Sequence, residues 1–471
     1  MTRISCFLHP ALPESFRLRY LFFSATLFLL TLLTGVPGSE AKERFPSYPS
    51  IETSVRFWED VYSRYTTRQG IIHDKDNLQV VYTVIELVDW NSPGSSKMNR
   101  KLVKLARQRY KKILTDLGSG KKPVTLEEKK VAALFPKKSH NAFNTAKNNI
   151  RLQIGQKDRF LEGIIRSGAY MSSIRKIFKT YNIPQELAYL PHVESSFNPK
   201  AHSKAGAAGL WQFTRSTGRQ YLTINDVVDE RYDPYASSKA AAVFLKEDFA
   251  VLQSWPMAIT AYNYGRAGMV RAKKKNGSYE NILKNHKTRI FKFASRNFYP
   301  EFLAAMRVAQ RYDHDKSIIL DRPEATLSVR MRGYVQAKEI RRHFKVSEED
   351  FSRLNQALRK PVLSGKKYIP KNFLVRLPAT SMTRKLAESI PSSIFRPNQV
   401  RDTIYVVRRG DTAGLIARKY RISISELIQA NNLNRRATIR IGQKLKIPGK
   451  IQIASNKNIV ILKAVSKNRP N

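Results

Sequence analysis

Apolar residues recur at helical spacing along most of the chain up to about residue 312, and the pattern breaks into shorter, strand-prone runs after Asp315. Val55, Trp58, Val61 and Tyr62 predict one packing helix, and Val80, Val81, Val84, Ile85 and Val88 predict another. Lys121-Lys122-Pro123 marks a break, after which Thr125 caps a helix whose first turn carries Glu127 and Glu128. Phe160, Ile164 and Ile165 lead to Ile174, Ile177 and Phe178, and then to a helix opened by Pro184. Leu187, Leu190 and Glu194 share one face of that helix. Asp233 and Pro234 are read as N-cap and first residue of a helix with Ala236, Ala240, Val243 and Phe244 on its buried stripe. A last helix of this block runs from Tyr299 to Tyr312, with Phe302, Met306 and Ala309 on one side.

The C-terminal part repeats itself. Ile340, Phe344, Val346, Ser347, Phe351 and Asn355 fall 76 positions before Ile416, Tyr420, Ile422, Ser423, Leu427 and Asn431. In the second copy Tyr405-Val406-Val407 predicts a strand, Gly410-Asp411-Thr412 a turn and cap, Leu415 to Tyr420 a helix, Ser423 the cap of another, and Leu445-Lys446-Ile447 a closing strand. The expected fold is mainly α: an N-terminal helical region over residues 42–157, a helical domain over 158–315, and small βααβ modules over 326–379 and 403–449, followed by a basic tail at 450–471. The first module lacks the Gly-Asp-Thr turn and reads as a degenerate copy or a spacer.

Charge narrows the possible partners. The 471 residues hold 84 Lys and Arg against 37 Asp and Glu, a net charge of +47, which favours polyanions or anionic surfaces. The N-terminus argues against nucleic acid: Arg17 and Arg19 precede an apolar run from Tyr20 to Val36 and then Ser39-Glu40-Ala41, the pattern of an export signal at 1–41 cleaved after Ala41, with an uncleaved anchor as the alternative. The single cysteine, Cys6, precedes the apolar run, so neither a disulfide nor a lipid-bearing cysteine is expected in the exported chain. The expected setting is the periplasm or cell envelope, or the medium as a secreted form, with an anionic envelope surface as a second contact. Oligomeric state leaves no signal in the sequence.

Candidate chemistry centres on Glu194. A carboxyl among Leu190, Val193, Phe197 and Trp211 is costly to ionise and keeps its proton toward neutral pH, as a general acid requires. Asp233 is read as a cap, Gly206, Gly209 and Gly265 as turn residues, and Phe213 and Tyr264 as core. The eight histidines are scattered, and His192 and His202 are read as surface or supporting residues, so neither a metal site nor a cofactor is expected.

Four segments carry a family resemblance: V-E-S-S-F-N-P at 193–199, G-A-A-G-L-W-Q-F at 206–213, R-Y-D-P at 231–234 and A-Y-N-Y-G at 261–265. In this order they resemble the catalytic domain of the membrane-bound lytic murein transglycosylase D family, and residues 403–449, with Y-V-V-R-R-G-D-T at 405–412, resemble a LysM module. The resemblance implies a lysozyme-like domain that cleaves the MurNAc–GlcNAc bond of peptidoglycan, with glycan strands as the partner. It implies Glu194 as acid and then base, Ser203 near the glutamate or substrate, Gln212 in the sugar cleft, and Tyr262 with Asn263 opposite. A hydrolytic glycosidase needs two carboxylates. Asp226, Asp229 and Glu230 lie in a polar segment without an aiming motif, so Glu194 stands alone and a lytic route through the muramoyl C6 hydroxyl is implied. A hydrolytic lysozyme and a wall-binding protein with impaired turnover are the alternatives. The latter arises because relatives carry Glu-Thr and a nearby Tyr where this chain reads Ala294-Ser295-Arg296-Asn297-Phe298-Tyr299. Tyr299 replaces that tyrosine only if the register shifts by one.

Overall fold

The computed structural model describes residues 44–448 except Lys137, Lys138, His314, Asn432 and Arg435. The export signal expected at 1–41 and the basic tail at 450–471 lie outside the described residues. Contacts separate residues 1–47 from the unit Tyr48–Asn471. Of the first, only 44–47 are described.

Helix α1 (Pro49–Ser63) opens the second unit and buries Ile51, Val55, Trp58 and Tyr62, as the spacing predicts. The next apolar run does not form a helix. Val81–Glu86 is strand β2, paired antiparallel with β1 (Gln69–Asp74), whose other edge takes β3 (Ile150–Ile154). The N-terminal region is therefore mixed rather than helical. Val81, Thr83, Val84 and Ile85 are β-branched and stiff at χ1, which favours the pleated surface, while the four-residue spacing of Val80, Val84 and Val88 imitates a helix. Helix α2 (Ser95–Gly118) packs Tyr110, Ile113, Leu114 and Leu117 against Ile72 and Ile150 of the sheet. Helix α3 (Leu126–Ala133) starts at Thr125 with a capping box closed by Glu128, and α4 (His140–Ala146) leads into β3.

The helical domain follows. Helices α5 (Lys157–Ser167) and α6 (Met171–Thr180) precede a 3-10 turn at Gln185–Tyr189 and the short α7 (Leu190–Ser195). The sequence pattern predicts one continuous helix here. Pro191 has no amide hydrogen to donate, so the chain tightens before it and α7 restarts with the proline in its first turn. Helix α8 (Pro234–Leu252) is capped by Asp233, which accepts from the amides of Tyr235 and Ala236 at 2.9 Å each. Helices α9 (Trp255–Tyr264), α10 (Arg266–Asn276) and α11 (Tyr279–Asn285) lead to α12 (Phe293–Asp313), which begins six residues earlier than the pattern suggests and runs through Pro300. Arg307 of α12 pairs with Glu52 and Glu59 of α1 at 3.0 and 3.2 Å, and the Trp58 indole donates to Asn297 at 3.3 Å. The first helix thus braces the last.

Two βααβ units complete the chain. Strand β4 (Thr326–Arg330), α13 (Ala337–Phe344), α14 (Glu348–Leu354) and β5 (Leu374–Pro378) form one; β6 (Thr403–Val406), α15 (Ala413–Lys419), α16 (Ile424–Asn431) and β7 (Lys444–Ile447) form the other. Their equivalence reaches single hydrogen bonds. Asn355 exchanges two bonds of 2.8 Å with the backbone of Arg376, and Asn431 does the same with Lys446 at 2.8 and 2.6 Å. The first unit is docked onto the segment that leads into α8. The Asp229 amide donates to the Ala357 carbonyl at 2.8 Å, the Arg359 amide donates to Val227 at 3.0 Å, and Arg376 pairs with Asp233.

Candidate active site

Glu194 sits in the last turn of α7, and the chain leaves that helix through two consecutive left-handed residues, Ser196 (φ 49°) and Phe197 (φ 54°). Such a turn is costly for non-glycine residues and needs external support. Arg166 of α5 supplies it by donating to the Ser196 carbonyl at 2.8 and 3.1 Å, while the Ser195 hydroxyl donates to the Leu210 carbonyl at 2.8 Å. Phe197 is fully buried, and behind α7 the rings of Tyr62, Phe160 and His192 stack with centroids 4.8 and 5.0 Å apart, with Phe197 tilted against His192 at 4.5 Å. His192 is buried in that stack with neither ring nitrogen partnered, and burial holds its pKa down at about 3. It is a buried packing ring behind the helix that carries Glu194, a supporting residue rather than a surface one.

The loop facing Glu194 is held from below. Arg231 and Asp229, each about 2% exposed, form a buried pair at 2.8 Å, and the Arg231 guanidinium also donates to the carbonyls of Gly206 (2.8 Å) and Phe213 (3.1 Å). Gly209 closes the same loop. Its φ is +78°, and a Cβ there would stand 1.8 Å from the Arg231 carbonyl, so no other residue fits without moving backbone. The four conspicuous motifs are thus largely devices for holding one loop against one helix end.

Residues 203, 212, 262 and 263 gather around this frame in different ways. Ser203 closes a turn: its hydroxyl accepts from the Ala207 amide at 3.0 Å. Gln212 has φ 46° and donates its side-chain amide to Gly209 at 2.9 Å and Ala201 at 3.4 Å, so its described bonds serve the loop. Tyr262 of α9 donates to the Trp211 carbonyl at 2.7 Å, and exposed Asn263 accepts from the Ser295 hydroxyl at 2.8 Å. Trp211 and Phe213 are core residues rather than sugar platforms; the Trp211 indole donates to Ser238 at 2.9 Å.

Electrostatically, Glu194 stands out. The residue as a whole is partly buried, protein surrounds its carboxyl, and burial pushes the pKa up to about 8. Its charge is felt by Tyr262, whose pKa is raised first by burial and then by this carboxylate, and by Tyr62, raised by burial, then by Glu301 and then by Glu194. A second carboxyl, missed in the sequence, shares the site. Glu301 of α12 has its pKa raised well above the ordinary value by burial and then by Glu194, with Arg151 of β3 opposing. The available signal was its place three residues after Phe298 and four before Ala305, on the buried side of α12.

The departures at 294–299 fall in the first turns of α12. The Ser295 hydroxyl donates to Asn263. Phe298 lies parallel to Tyr262, with ring planes 4° apart and centroids at 6.3 Å. Tyr299 does not replace the expected tyrosine: it is fully buried, packed edge-on against Tyr279.

Two domain families match the chain. The Transglycosylase SLT domain family matches residues 172–285, and the LysM domain family matches 405–448. The chain contains an SLT domain and a LysM domain. Membrane-bound lytic murein transglycosylase D of Escherichia coli K12 is 29% identical over 297 residues, covering 60% of this chain and 64% of that protein. Membrane-bound lytic murein transglycosylase F of Serratia proteamaculans is 28% identical over 184 residues, 36% of this chain and 35% of that protein. Among solved structures, an inactive mutant of the lytic transglycosylase Slt of Pseudomonas aeruginosa superposes on 32% of this chain and 26% of that one, at 16% identity and a TM-score of 0.26. The SLT match includes Glu194, Ser203, Gln212, Tyr262 and Asn263, and stops short of Glu301. Among the described residues no group of His, Cys, Asp and Glu has the geometry of a metal site, and no helix is long and apolar enough to cross a membrane.

Proposed function

We propose that this chain is an exported peptidoglycan lytic transglycosylase that cleaves the MurNAc–GlcNAc bond without water and leaves 1,6-anhydroMurNAc ends. The observation that carries the reading is the lone Glu194 carboxyl at the end of a short helix, on a residue only partly buried, with burial raising its pKa to about 8. At neutral pH it donates its proton to the glycosidic oxygen, and the GlcNAc leaving group departs with that hydrogen. The carboxylate then removes the proton of the muramoyl C6 hydroxyl as O6 bonds to C1, which returns Glu194 to its starting state. An internal nucleophile gains from proximity, on the order of several kcal/mol.

Glu301 favours this route over hydrolysis. A retaining or inverting hydrolase uses a second carboxylate that is ionised, whereas burial and the neighbouring Glu194 keep Glu301 neutral. In this reading Tyr262 and Asn263 line the cleft opposite Glu194, with Ser203 and Gln212 holding the loop and presenting polar groups to sugar. The LysM domain binds GlcNAc-containing strands and raises the local concentration of substrate. The impaired-turnover alternative rests on Ala294 and Phe298; the Ser295–Asn263 bond and the Phe298–Tyr262 contact weigh against it. The test is digestion of purified sacculi: wild-type protein releases anhydromuropeptides and Glu194→Gln releases none. Equal release by both removes Glu194 from the chemistry.

A further inference from the structure

A cavity of about 1030 Å³ opens where the sheet meets the start of α12, at the upper end of the size range of small-ligand sites. One wall is the segment from α11 into α12, which contributes Lys284, Lys287, Arg289, Lys292 and Arg296. The other is the sheet, with Lys75 after β1 and Arg151 in β3; Asp76 is the carboxylate in the lining. Among the described residues none of these seven cations forms a salt bridge, although Arg151 is near enough to Glu301 for the two charges to act on each other. Arg151 is the most telling: its guanidinium lies over the Phe293 ring at 4.0 Å, and its buried Nε has no hydrogen-bond partner. Such crowding of like charge is unfavourable without an anionic ligand, and low-dielectric walls concentrate the field at the opening.

The cavity adjoins the cleft. Ser295, in the first turn of α12, donates to Asn263, while Arg296 and Asn297, the next two residues, line the cavity. Tyr264, beside Asn263, shares a hydrogen bond of 3.1 Å with His286 in the cavity wall.

We propose that this basic cavity is a receptor for an acidic peptide, the carboxylate-bearing peptide branch of the muramoyl residue occupying the cleft. The assignment rests on the function proposed above for the substrate, and on the cation cluster for the chemistry. A glycan seated along Tyr262 and Asn263 directs a substituent past Ser295 into the cavity, where several carboxylates meet several unpaired cations. Peptide-bearing strands are therefore preferred over stripped ones.

Two arms separate this claim from the function itself. In the first, fluorescence anisotropy of Glu194→Gln protein follows a labelled tetrapeptide with free carboxylates, the same peptide with its carboxylates amidated, and polyphosphate. The free-carboxylate peptide binds at least tenfold more tightly than the amidated one, the preference weakens with salt, and Lys292→Glu with Arg296→Glu abolishes it. Equal binding of both peptides, no effect of the charge reversals, or binding of polyphosphate alone overturns the proposal. In the second, wild-type protein and the charge-reversed pair digest peptide-bearing and amidase-stripped strands. Wild type shows the lower KM on peptide-bearing strands with similar kcat, and the pair shows equal KM on both. A wild type indifferent to the peptide also overturns it. Absence of anhydro products from either strand refutes the enzymatic reading instead, and the first arm still decides the cavity.

Discussion

Replacing Glu194 by Gln should stabilise the protein above neutral pH while ending its turnover. The ordinary carboxyl value of 4.5 applies in the unfolded chain, and the folded site raises it to about 8. The native state therefore holds a proton that the unfolded state has released, and native stability falls as pH rises from 4.5 to about 8. At about 1.4 kcal/mol per pH unit this loss reaches at most about 5 kcal/mol, and water entering the partly open cleft reduces it to roughly 2 to 4 kcal/mol. Gln keeps the shape and never ionises, so its advantage over Glu is near zero at pH 4.5 and fully developed above pH 8. Urea denaturation followed by tryptophan fluorescence at pH 4.5, 6.5 and 8.5 measures the difference directly. A difference between the two proteins that does not change with pH refutes the buried-acid reasoning, as does a wild type that is the more stable at pH 8.5.

Other substitutions probe the frame around the acid. Arg231→Ala leaves Asp229 charged and buried without its partner, and should cost about 3 to 5 kcal/mol in denaturant unfolding together with most turnover. Gly209→Ala forces a Cβ onto the Arg231 carbonyl at positive φ, so thermal melting should fall by several degrees; an unchanged melting temperature contradicts the close approach. Glu301→Gln replaces a carboxyl already held neutral and should leave turnover at pH 7 within about twofold, whereas Glu301→Lys favours the ionised form of Glu194. The lysine variant should move the alkaline limb of the pH–rate profile to lower pH by a unit or more. An unmoved limb means that position 301 does not sense the acid.

What the sequence made legible was mostly local in origin. The caps at Thr125 and Asp233 are hydrogen bonds to amides two or three residues away, so residue type and position suffice to find them. The module repeat was visible because Asn355 and Asn431 must each bridge to their own closing strand. Glu194 was found because a charged residue ends an apolar face. The sheet was not found, because β1 takes β3 as its partner from about 80 residues further along and nothing local announces that pairing. Glu301 was missed for a related reason: the groups that raise its pKa or oppose the rise, Glu194 and Arg151, come from α7 and β3, far from α12 in sequence. The 294–299 departure is visible in the letters alone, whereas the contacts its residues make, Phe298 with Tyr262 and Ser295 with Asn263, join segments roughly 30 residues apart and need the fold to be seen.

The central claim is that one protonated carboxyl breaks the glycan by passing a hydrogen between two oxygens of the substrate, with no water consumed. Digestion of sacculi in water enriched in heavy oxygen, with mass analysis of the new muramoyl ends, tests it most directly. The account predicts anhydro ends that carry none of the solvent oxygen, and no such ends with Glu194→Gln. Reducing ends labelled from the solvent would contradict it.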